Sequence, residues 1–252
     1  MKSRIKKILQ KIFGFKNYLF VFSIYIIKTL KWNRKENDFL HLLTLIPDGG
    51  IILDIGANIG VMTYYLSRKF QNSQILSFEP IPHNLVNLKR IIKKFNLNNI
   101  KVFEMALGNE DGNVEMVMPV LQNVKFHGLS HVVDGKNSEL NEGEKFVSSI
   151  KKLDEIKDIK EATLPVNAIK IDVENYEYFV FQGGIETIKK HKPVIYTELW
   201  DNENRQNSFK LLCSLGYETK VLQNGELINF DPAKHKTQNF FFIPNDEIPA
   251  NN

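Results

Sequence analysis

Short apolar runs alternate with amphipathic segments along most of the chain. Residues 51–53 are apolar, include β-branched side chains and are flanked by glycines, which is typical of a strand buried on both faces. The pattern predicts further strands at 74–78, 100–106, 166–172, 193–197, 217–222 and 239–243. It predicts helices at 38–45, 61–70, 82–95, 178–188 and 205–215. About seven strands alternating with helices predict an α/β fold with a mostly parallel sheet.

Residues 112–150 interrupt this alternation. The least regular part, 119–145, contains Pro119, Gly128, Gly135 and Gly143, and a further strand is predicted at 145–150. A loop of this length inside a compact domain is usually functional or disordered, so we predict an insertion that lies over the functional site as a lid. His127 and His131 have the spacing of a metal-binding pair. However, glycine and serine between them disfavour a helix and no further ligands lie nearby, so no metal site is predicted.

The first 35 residues differ from the rest of the chain. Residues 3–13 have the pattern of a basic amphipathic helix, which suits an anionic membrane surface. Residues 18–27 carry no charge, but they are too few for a membrane span, which needs about 17–25 apolar residues. Three interpretations remain open for this arm: a packed helical cap or dimer element, a peripheral membrane anchor, or a span. We therefore divide the chain into an arm, 1–37, and a main domain, 38–252.

The arm and the main domain also differ in charge, because the arm is basic and the main domain is acidic. The chain of 252 residues is 43% hydrophobic and has a net charge of +4, enough apolar content for one sizeable core. Residues 1–35 hold ten Lys or Arg and no acid, which leaves 23 bases against 29 acids in the remainder. An acidic main domain argues against nucleic acid as a partner. The single cysteine, Cys213, is predicted to lie in the core and suits a reducing compartment, so we expect a cytoplasmic protein. If the arm is a membrane anchor, the protein would associate with the inner face of the membrane.

A glycine-containing turn follows the first strand, and the second strand ends in Glu79-Pro80. A nucleotide-type cofactor lies on such a turn, with its ribose on the second-strand acid. Dinucleotide sites need glycines at the first, third and sixth positions, whereas Gly56 and Gly60 have the spacing G-x-x-x-G and Asn58 lies between them. Asn tolerates the left-handed conformation that such a turn requires.

Asp54 decides between the candidate cofactors. Its carboxylate would repel a pyrophosphate but attract S-adenosylmethionine, which carries an ammonium and a sulfonium and no phosphate. One charge pair at ~4 Å near a protein surface is worth about 4 kcal/mol. S-adenosylmethionine is therefore the predicted cofactor. The alternative is a purely structural strand–turn–helix in which Asp54 is solvated.

Three motifs, in order and in spacing, resemble the FkbM-type S-adenosylmethionine-dependent methyltransferases. They are residues 53–60 (LDIGANIG), 78–80 (FEP) and 169–174 (IKIDVE), and the resemblance extends over about 38–244. One departure is Asn175, where the family usually has glycine; Asn is a mild replacement if that position has a positive φ. The resemblance implies a Rossmann-like class I methyltransferase fold. This is a mostly parallel seven-stranded sheet with one antiparallel strand and helices on both faces, to which the arm adds N-terminal helices.

The candidate site residues lie at strand ends, where open α/β sheets bind ligands. We expect the cofactor to be held by Asp54, Gly56, Ala57, Asn58, Gly60, Glu79 and Ala106. We expect Asp172 and Glu174 to orient the acceptor and act as the general base, with Glu198 as the next candidate. For Asp172 the alternative is a helix cap. Lys170 is expected to pair with a neighbouring acid.

The sequence thus predicts a methyltransferase that methylates a hydroxyl group of a sugar, a glycan or a small natural product. The family is associated with sugars, surface polysaccharides and polyketide-type products, and the residues do not choose among them. N-methylation remains open. A nicotinamide-dependent oxidoreductase and a non-catalytic scaffold that binds a membrane or a partner are the alternatives from other functional classes. The oligomeric state does not follow from the sequence.

Overall fold

The computed structural model describes residues 2–121, 124–133 and 141–245. The helices are α1 (Lys2–Phe13), α2 (Phe15–Thr29), α3 (Asn37–Leu45), α4 (Val61–Lys69), α5 (Pro82–Phe95), α6 (Lys157–Lys160), α7 (Glu177–Gln182), α8 (Ile185–His191) and α9 (Glu203–Ser214). The strands of the main sheet are β1 (Ile51–Ile55), β2 (Gln74–Phe78), β3 (Ile100–Phe103), β9 (Val166–Ile171), β10 (Val194–Glu198), β11 (Tyr217–Gln223), β12 (Glu226–Asn229) and β13 (Asn239–Pro244). A second sheet contains β4 (Ala106–Leu107), β5 (Gly112–Leu121), β6 (Val124–Lys125), β7 (His131–Val132) and β8 (Gly143–Lys151).

The main sheet has eight strands in the order β12-β11-β13-β10-β9-β1-β2-β3. The five strands from β10 to β3 are parallel, and β13 runs antiparallel to both of its neighbours. Without β12, this is the predicted seven-stranded sheet with one reversed strand, and that prediction is confirmed. The eighth strand, β12, returns from β11 through a turn at Asn224 and Gly225, which have φ values of 54° and 88°. Positive φ at both residues is the requirement of a tight two-residue hairpin turn.

The central strand β1 is buried along its whole length, as its apolar pattern predicts. Ile51, Leu53 and Ile55 pack into one hydrophobic cluster with residues of α7, α8 and α9. Ile52 packs into the opposite cluster with residues of α3 and α4. Successive side chains of a strand point to opposite faces, so helices cover both sides of the sheet.

The insertion 112–150 is more regular than the sequence indicates. β5 and β8 pair antiparallel from Gly112 opposite Ile150 to Pro119 opposite Gly143, so strand structure replaces much of the irregular segment. The predicted third strand ends at Phe103, and Ala106 pairs with β8 in the second sheet instead. Gly135 and the domain's last residues, 246–252, lie outside the described residues.

Two further expectations are corrected. The predicted helix 178–188 is two helices, because α7 ends before Gly183 and α8 begins after Gly184. A Cβ atom at Gly183 would lie 1.9 Å from the carbonyl oxygen of Gly108, so the chain changes direction where only glycine fits. Cys213 was expected in the core but is exposed, because α9 buries a different face.

Helix α2 of the arm is packed on the main domain. Leu19 and Ser23 are fully buried. The side-chain amide of Asn87 on α5 donates to Ser23 Oγ (2.7 Å) and to the carbonyl oxygen of Ile59 (2.8 Å). This polar contact joins α2, α5 and the turn after β1. Among residues 2–121, 124–133 and 141–245, no helix combines the length and the apolar character needed to cross a membrane.

Candidate functional site

The turn after β1 is held in place by backbone geometry. Gly56, Asn58 and Gly60 have φ values of 75°, 49° and 83°, so the left-handed conformation expected at Asn58 is present. The amides of Gly56 and Ala57 both donate to the carbonyl oxygen of Phe78 at 3.0 Å. This ties the turn to the end of β2.

The two glycines of the turn have different packing roles. A Cβ atom at Gly56 would lie 1.9 Å from the carbonyl oxygen of Asp172, so Gly56 lets the ends of β1 and β9 approach each other. A Cβ atom at Gly60 would lie 2.9 Å from Leu88 Cδ1. Gly60 therefore makes room for α5, and it does not line any of the three cavities defined below.

Glu79, at the end of β2, is almost completely buried and holds the turn from the other side. Its Oε2 accepts from the amide of Asn58 (2.7 Å), and its Oε1 accepts from the amide of Ile81 (2.8 Å) and the side chain of Asn84 (3.3 Å). Burial raises the pKa of Glu79 to about 7, although these hydrogen bonds oppose the rise. A carboxylate has about four lone-pair positions, so one remains for a ligand.

A cavity, here called the main cleft, opens above this turn. The residues that line the main cleft include Gly56, Asn58, Glu79, Ala106, His127, Gly128, Ser130, Asp172 and Glu174. The insertion thus supplies one wall through His127, Gly128 and Ser130.

Asp54 does not line the main cleft. Its side chain is fully buried; Oδ2 accepts from Thr63 Oγ1 (2.5 Å) and Oδ1 lies 3.3 Å from Nζ of Lys170. Lys170 also donates to the carbonyl oxygen of Gly56 (2.9 Å), so it pairs with an acid as expected. The direct attraction of a cationic ligand that the sequence assigned to Asp54 is weakened by this pairing, because Lys170 compensates the charge of Asp54.

The turn after β9 is the second half of the site. The amide of Asp172 donates to the carbonyl oxygen of Ile55 (3.1 Å), and Glu174 and Asn175 follow with φ values of 53° and 76°. Asn175 therefore occupies a position with positive φ, as anticipated from its replacement of glycine. Asn202 donates to Asn175 Oδ1 (2.6 Å) and Asn204 donates to the carbonyl oxygen of Asn175 (2.9 Å). The start of α9 thereby fixes this strained turn.

Carboxyl groups from three parts of the chain interact around Asp172. Burial, followed by the charges of Asp172 and Glu198, raises the pKa of Glu174 to about 9. Burial and the charge of Asp172 also raise the pKa of Glu198 and of Glu36, the residue that precedes α3. The charge of Lys170 opposes the rise of all three pKa values without cancelling it. Such mutual repulsion favours the binding of a cation or the sharing of a proton.

Two further cavities adjoin the main cleft. The first, the apolar groove, is lined by Phe22, Ile26 and Leu30 of the arm and by the turn after β1, including Ala57. The second, the acidic pocket, is lined by the acids Glu36, Asp38, Asp172 and Glu198, and also by Arg34, Lys35 and Lys170. Asp172 lines the main cleft, the groove and the acidic pocket. The three cavities therefore meet at this one carboxylate.

The wall supplied by the insertion carries an unpaired polar atom. His127 lies between the main cleft and the apolar groove, and burial followed by the charge of Lys6 lowers its pKa to about 4. Within the described part of the chain, His127 Nδ1 and Asn58 Oδ1 are buried without a hydrogen-bond partner. In contrast, both ring nitrogens of His131 are paired, with the carbonyl oxygen of Leu129 (2.9 Å) and Asn141 Oδ1 (3.0 Å). No group of acids, histidines and cysteines suited to a metal ion occurs among the described residues.

Most of the predicted site residues converge, and two do not. Gly56, Asn58, Glu79, Ala106, Asp172 and Glu174 line the main cleft, Ala57 lines the groove, and Glu198 lines the acidic pocket. Asp54 and Gly60 support these walls from outside. The sequence analysis did not identify Glu36, nor the arm residues Phe22, Ile26 and Leu30 that line the apolar groove. The available signal for Glu36 was that it is the first acid after 35 residues that contain none.

Comparison with known proteins gives a consistent result. Residues 54–230 match the model of the methyltransferase FkbM domain. Methyltransferase 1 of Beauveria bassiana (strain ARSEF 2860) is 28% identical over 185 residues, which cover 64% of this chain and 72% of that protein. Methyltransferase sdnD of Sordaria araneosa is 24% identical over 189 residues, covering 65% of this chain and 71% of that protein.

Among solved structures, the fold resembles a methyltransferase FkbM from Methylobacillus flagellatus KT. The TM-score is 0.51 at 16% sequence identity, over 77% of this chain. The matched part is 44% of that structure, so this chain spans less than half of its length. At this identity the likeness supports the fold alone.

Proposed function

The chain belongs to the FkbM family of S-adenosylmethionine-dependent methyltransferases, and we propose that it methylates a hydroxyl group of a sugar, a glycan or a small natural product. Membership in a methyltransferase family argues against the two alternatives from other functional classes, the nicotinamide-dependent oxidoreductase and the non-catalytic scaffold. The observation that supports the finer proposal is the meeting of three cavities at Asp172. One cavity suits the donor, and the other two offer an acceptor an apolar wall and an acidic wall.

The residues that line the main cleft suit S-adenosylmethionine. Glu79 keeps one lone-pair position for a ribose hydroxyl, and Ala106 lines the same cleft and would contact the adenine. The unpaired atoms Asn58 Oδ1 and His127 Nδ1 support a polar ligand here, because buried polar groups in native proteins normally have partners. The donor supplies a methyl group on a positively charged sulfur. Asp172 and Glu174 line the cleft and would attract that charge.

The apolar groove and the acidic pocket suit the acceptor. Phe22, Ile26 and Leu30 present an apolar surface to one side of the ligand, and Glu36 and Glu198 present carboxyl groups to the other. A sugar ring has an apolar face and several hydroxyl groups, so it matches both walls. The same combination suits a hydroxylated natural product of similar size.

Asp172 is the proposed general base. Its main chain is anchored to Ile55, so its carboxylate is held at the junction where an acceptor hydroxyl and the donor would meet. The chain's main contribution is to hold the two reactants in line, which can be worth ~7–11 kcal/mol. Acceptance of the hydroxyl proton by Asp172 adds roughly 10²–10⁴ in rate. Glu198 and Glu36 would orient the remaining hydroxyl groups of the acceptor. We also propose a cytoplasmic location, supported by the single cysteine.

The test uses the full chain with no added metal. Calorimetric titration with S-adenosylmethionine and with NADH is followed by incubation with a methyl-labelled donor and a cell extract, and mass spectrometry identifies the labelled products. We expect the protein to bind S-adenosylmethionine and the label to appear in an O-methyl ether. Absence of donor binding, or label recovered only on nitrogen, would overturn the proposal.

A matched pair of variants tests the donor site. Glu79→Ala removes a buried carboxylate that accepts three hydrogen bonds, and we expect S-adenosylmethionine to bind about 10–100-fold more weakly. Glu104→Ala removes an exposed carboxylate that pairs with Lys89, and the affinity should not change. Equal affinities of the two variants would remove Glu79 from the donor site.

A further inference from the structure

Helix α2 and the turn that follows it have three sides: one is buried, one lines the apolar groove and one is exposed to solvent. Leu19, Ser23 and Ile27 are buried against the main domain, and Phe22, Ile26 and Leu30, which continue into the following turn, line the apolar groove. A third stripe faces solvent and consists of Val21, Tyr25 and Trp32, which are 53%, 62% and 70% exposed. The first two sides are explained by packing and by the proposed acceptor site. The exposed apolar stripe is not.

Helix α1 carries exposed apolar side chains as well, and these and the exposed stripe of α2 are together called the arm face. On α1, Ile8, Ile12 and Phe13 are 56%, 67% and 46% exposed. Six of the ten large hydrophobic side chains that are exposed among the described residues therefore lie between residues 8 and 32. Single exposed apolar side chains are ordinary, whereas their concentration in one segment indicates an interaction surface.

The same surface is strongly basic. Its exposed cations are Lys7, Lys11, Lys16, Lys28 and Lys31. Residues 1–35 contain no acid, and none of these lysines has a carboxylate partner in the part of the chain that the structure describes. Nζ of Lys31 lies 4.6 Å from the ring centre of Trp32, so the cation is adjacent to an exposed aromatic ring.

We propose that the arm face binds an anionic lipid surface. Apolar side chains that enter the headgroup region, with lysines around them, are the two components of peripheral membrane binding by a helix. Exposed Trp and Tyr are enriched at the same interface. The arm lies on the membrane and does not cross it.

A second copy of the chain fits this face less well. A symmetric dimer places the same surface on both partners, so lysines of one copy would face lysines of the other. The face contains no acid to offset that repulsion. An anionic lipid surface supplies the missing negative charge and a place for the apolar side chains.

The test is co-sedimentation of the full chain with phosphatidylcholine vesicles, with and without ~30% phosphatidylglycerol, at low and high salt. We expect at least tenfold stronger binding to the anionic vesicles and a marked loss at high salt, because screening weakens exposed charges. The variant Lys11→Gln/Lys28→Gln/Lys31→Gln should bind roughly 100-fold more weakly, since each lysine near an anionic surface contributes about fivefold. Tyr25→Ser/Trp32→Ser should also bind more weakly at unchanged charge.

Matched controls separate this effect from net charge and folding. Lys94→Gln/Lys151→Gln/Lys152→Gln removes three exposed lysines outside the arm and should bind like the unmodified protein. All variants should keep their affinity for S-adenosylmethionine, which reports the fold. Equal binding to neutral and anionic vesicles, or equal losses in the arm and control variants, would overturn the proposal. A concentration-dependent dimer that Tyr25→Ser/Trp32→Ser abolishes, without vesicle binding, would assign the face to a second copy instead.

Discussion

Nζ of Lys170 lies 3.3 Å from Oδ1 of Asp54, and the two side chains are only 3% and 0% exposed. The pair joins β1 to β9, and Lys170 also donates to the carbonyl oxygen of Gly56. Lys170 lines the apolar groove and the acidic pocket. Although burial opposes its charge, the pKa of Lys170 is raised by the charges of Asp54 and Asp172, so Lys170 stays protonated. This buried ion pair supports the turn that the main cleft depends on.

Removal of one member of this pair should be strongly destabilising. Lys170→Met leaves Asp54 buried without a countercharge, and we expect the free energy of unfolding to fall by about 3–5 kcal/mol in urea denaturation. Lys210→Met, at an exposed position on α9, is the control and should change it little. The double variant Asp54→Asn/Lys170→Met should lose much less than the sum of its single variants, whereas additive losses would contradict the pairing.

Asp172→Asn should separate catalysis from donor binding. The amide keeps the size of the side chain but cannot accept the hydroxyl proton, so turnover should fall by roughly 10²–10⁴. The Kd of S-adenosylmethionine, measured by calorimetry, should change by less than about tenfold, since one screened charge is lost. Asp201→Asn removes a carboxylate that is 83% exposed, and it should leave both quantities unchanged. Normal turnover of Asp172→Asn would exclude Asp172 as the base.

The raised pKa of Glu174, about 9 in the folded protein against an ordinary 4.5, predicts a pH-dependent stability. Between these two values the folded state holds a proton that the unfolded state has lost. The stabilising contribution is therefore complete below about pH 4.5 and disappears as the pH rises to about 9. Urea denaturation at several pH values should show this decline for the ligand-free protein. It should be smaller for Glu174→Gln and unchanged for Glu203→Gln, which alters an exposed acid.

The proton on Glu174 should also affect the affinity for S-adenosylmethionine, which should rise with pH while the stability falls. A cationic ligand in the main cleft favours ionised Glu174, so the affinity for S-adenosylmethionine should rise with pH between about 7 and 9. For one linked proton the rise approaches about tenfold per pH unit. Glu174→Gln should flatten this profile, and a flat profile of the unmodified protein would show that Glu174 and the ligand are not linked.

Gly56 and Gly49 provide a matched test of backbone crowding. Both have a positive φ, but a Cβ atom at Gly56 would overlap the carbonyl oxygen of Asp172, whereas at Gly49 it would meet nothing within 4 Å. Gly49→Ala should cost only the conformational strain, about 1–2 kcal/mol. Gly56→Ala must also push the ends of β1 and β9 apart, so it should be considerably less stable and should lose donor binding. Equal stabilities of the two variants would contradict the close approach.

The architecture was predictable because its signals are local. The apolar run at 51–53, the periodic apolar residues of the helix at 82–95 and the turn residues Asn224 and Gly225 each indicate an element without reference to the rest of the chain. The second sheet was not predictable in the same way. Its strands β5 and β8 are half exposed and separated by a long loop, so their pairing depends on contacts distant in sequence.

The site was predicted as far as residue types at strand ends allow. Positions such as Glu79 and Asp172 follow from the rule that ligands bind at the carboxyl ends of parallel strands. The sequence does not show which way a side chain turns, so it could not reveal that Asp54 pairs with Lys170. It also could not reveal that Glu36 reaches the acidic pocket, because that requires α2 and α3 to be placed in three dimensions.

The orientation of α2 about its own axis determines at once which side chains pack on α5, which line the apolar groove and which face solvent. One inserted or deleted residue ahead of Phe22 would turn the later part of the helix by about 100° relative to its start. Side chains that now fill the seam against α5, border the groove and face solvent would then exchange places, and Lys28 would move toward an apolar wall. A frame change in this helix should therefore impair folding and acceptor recognition together, whereas substitutions confined to one stripe should affect only one of them.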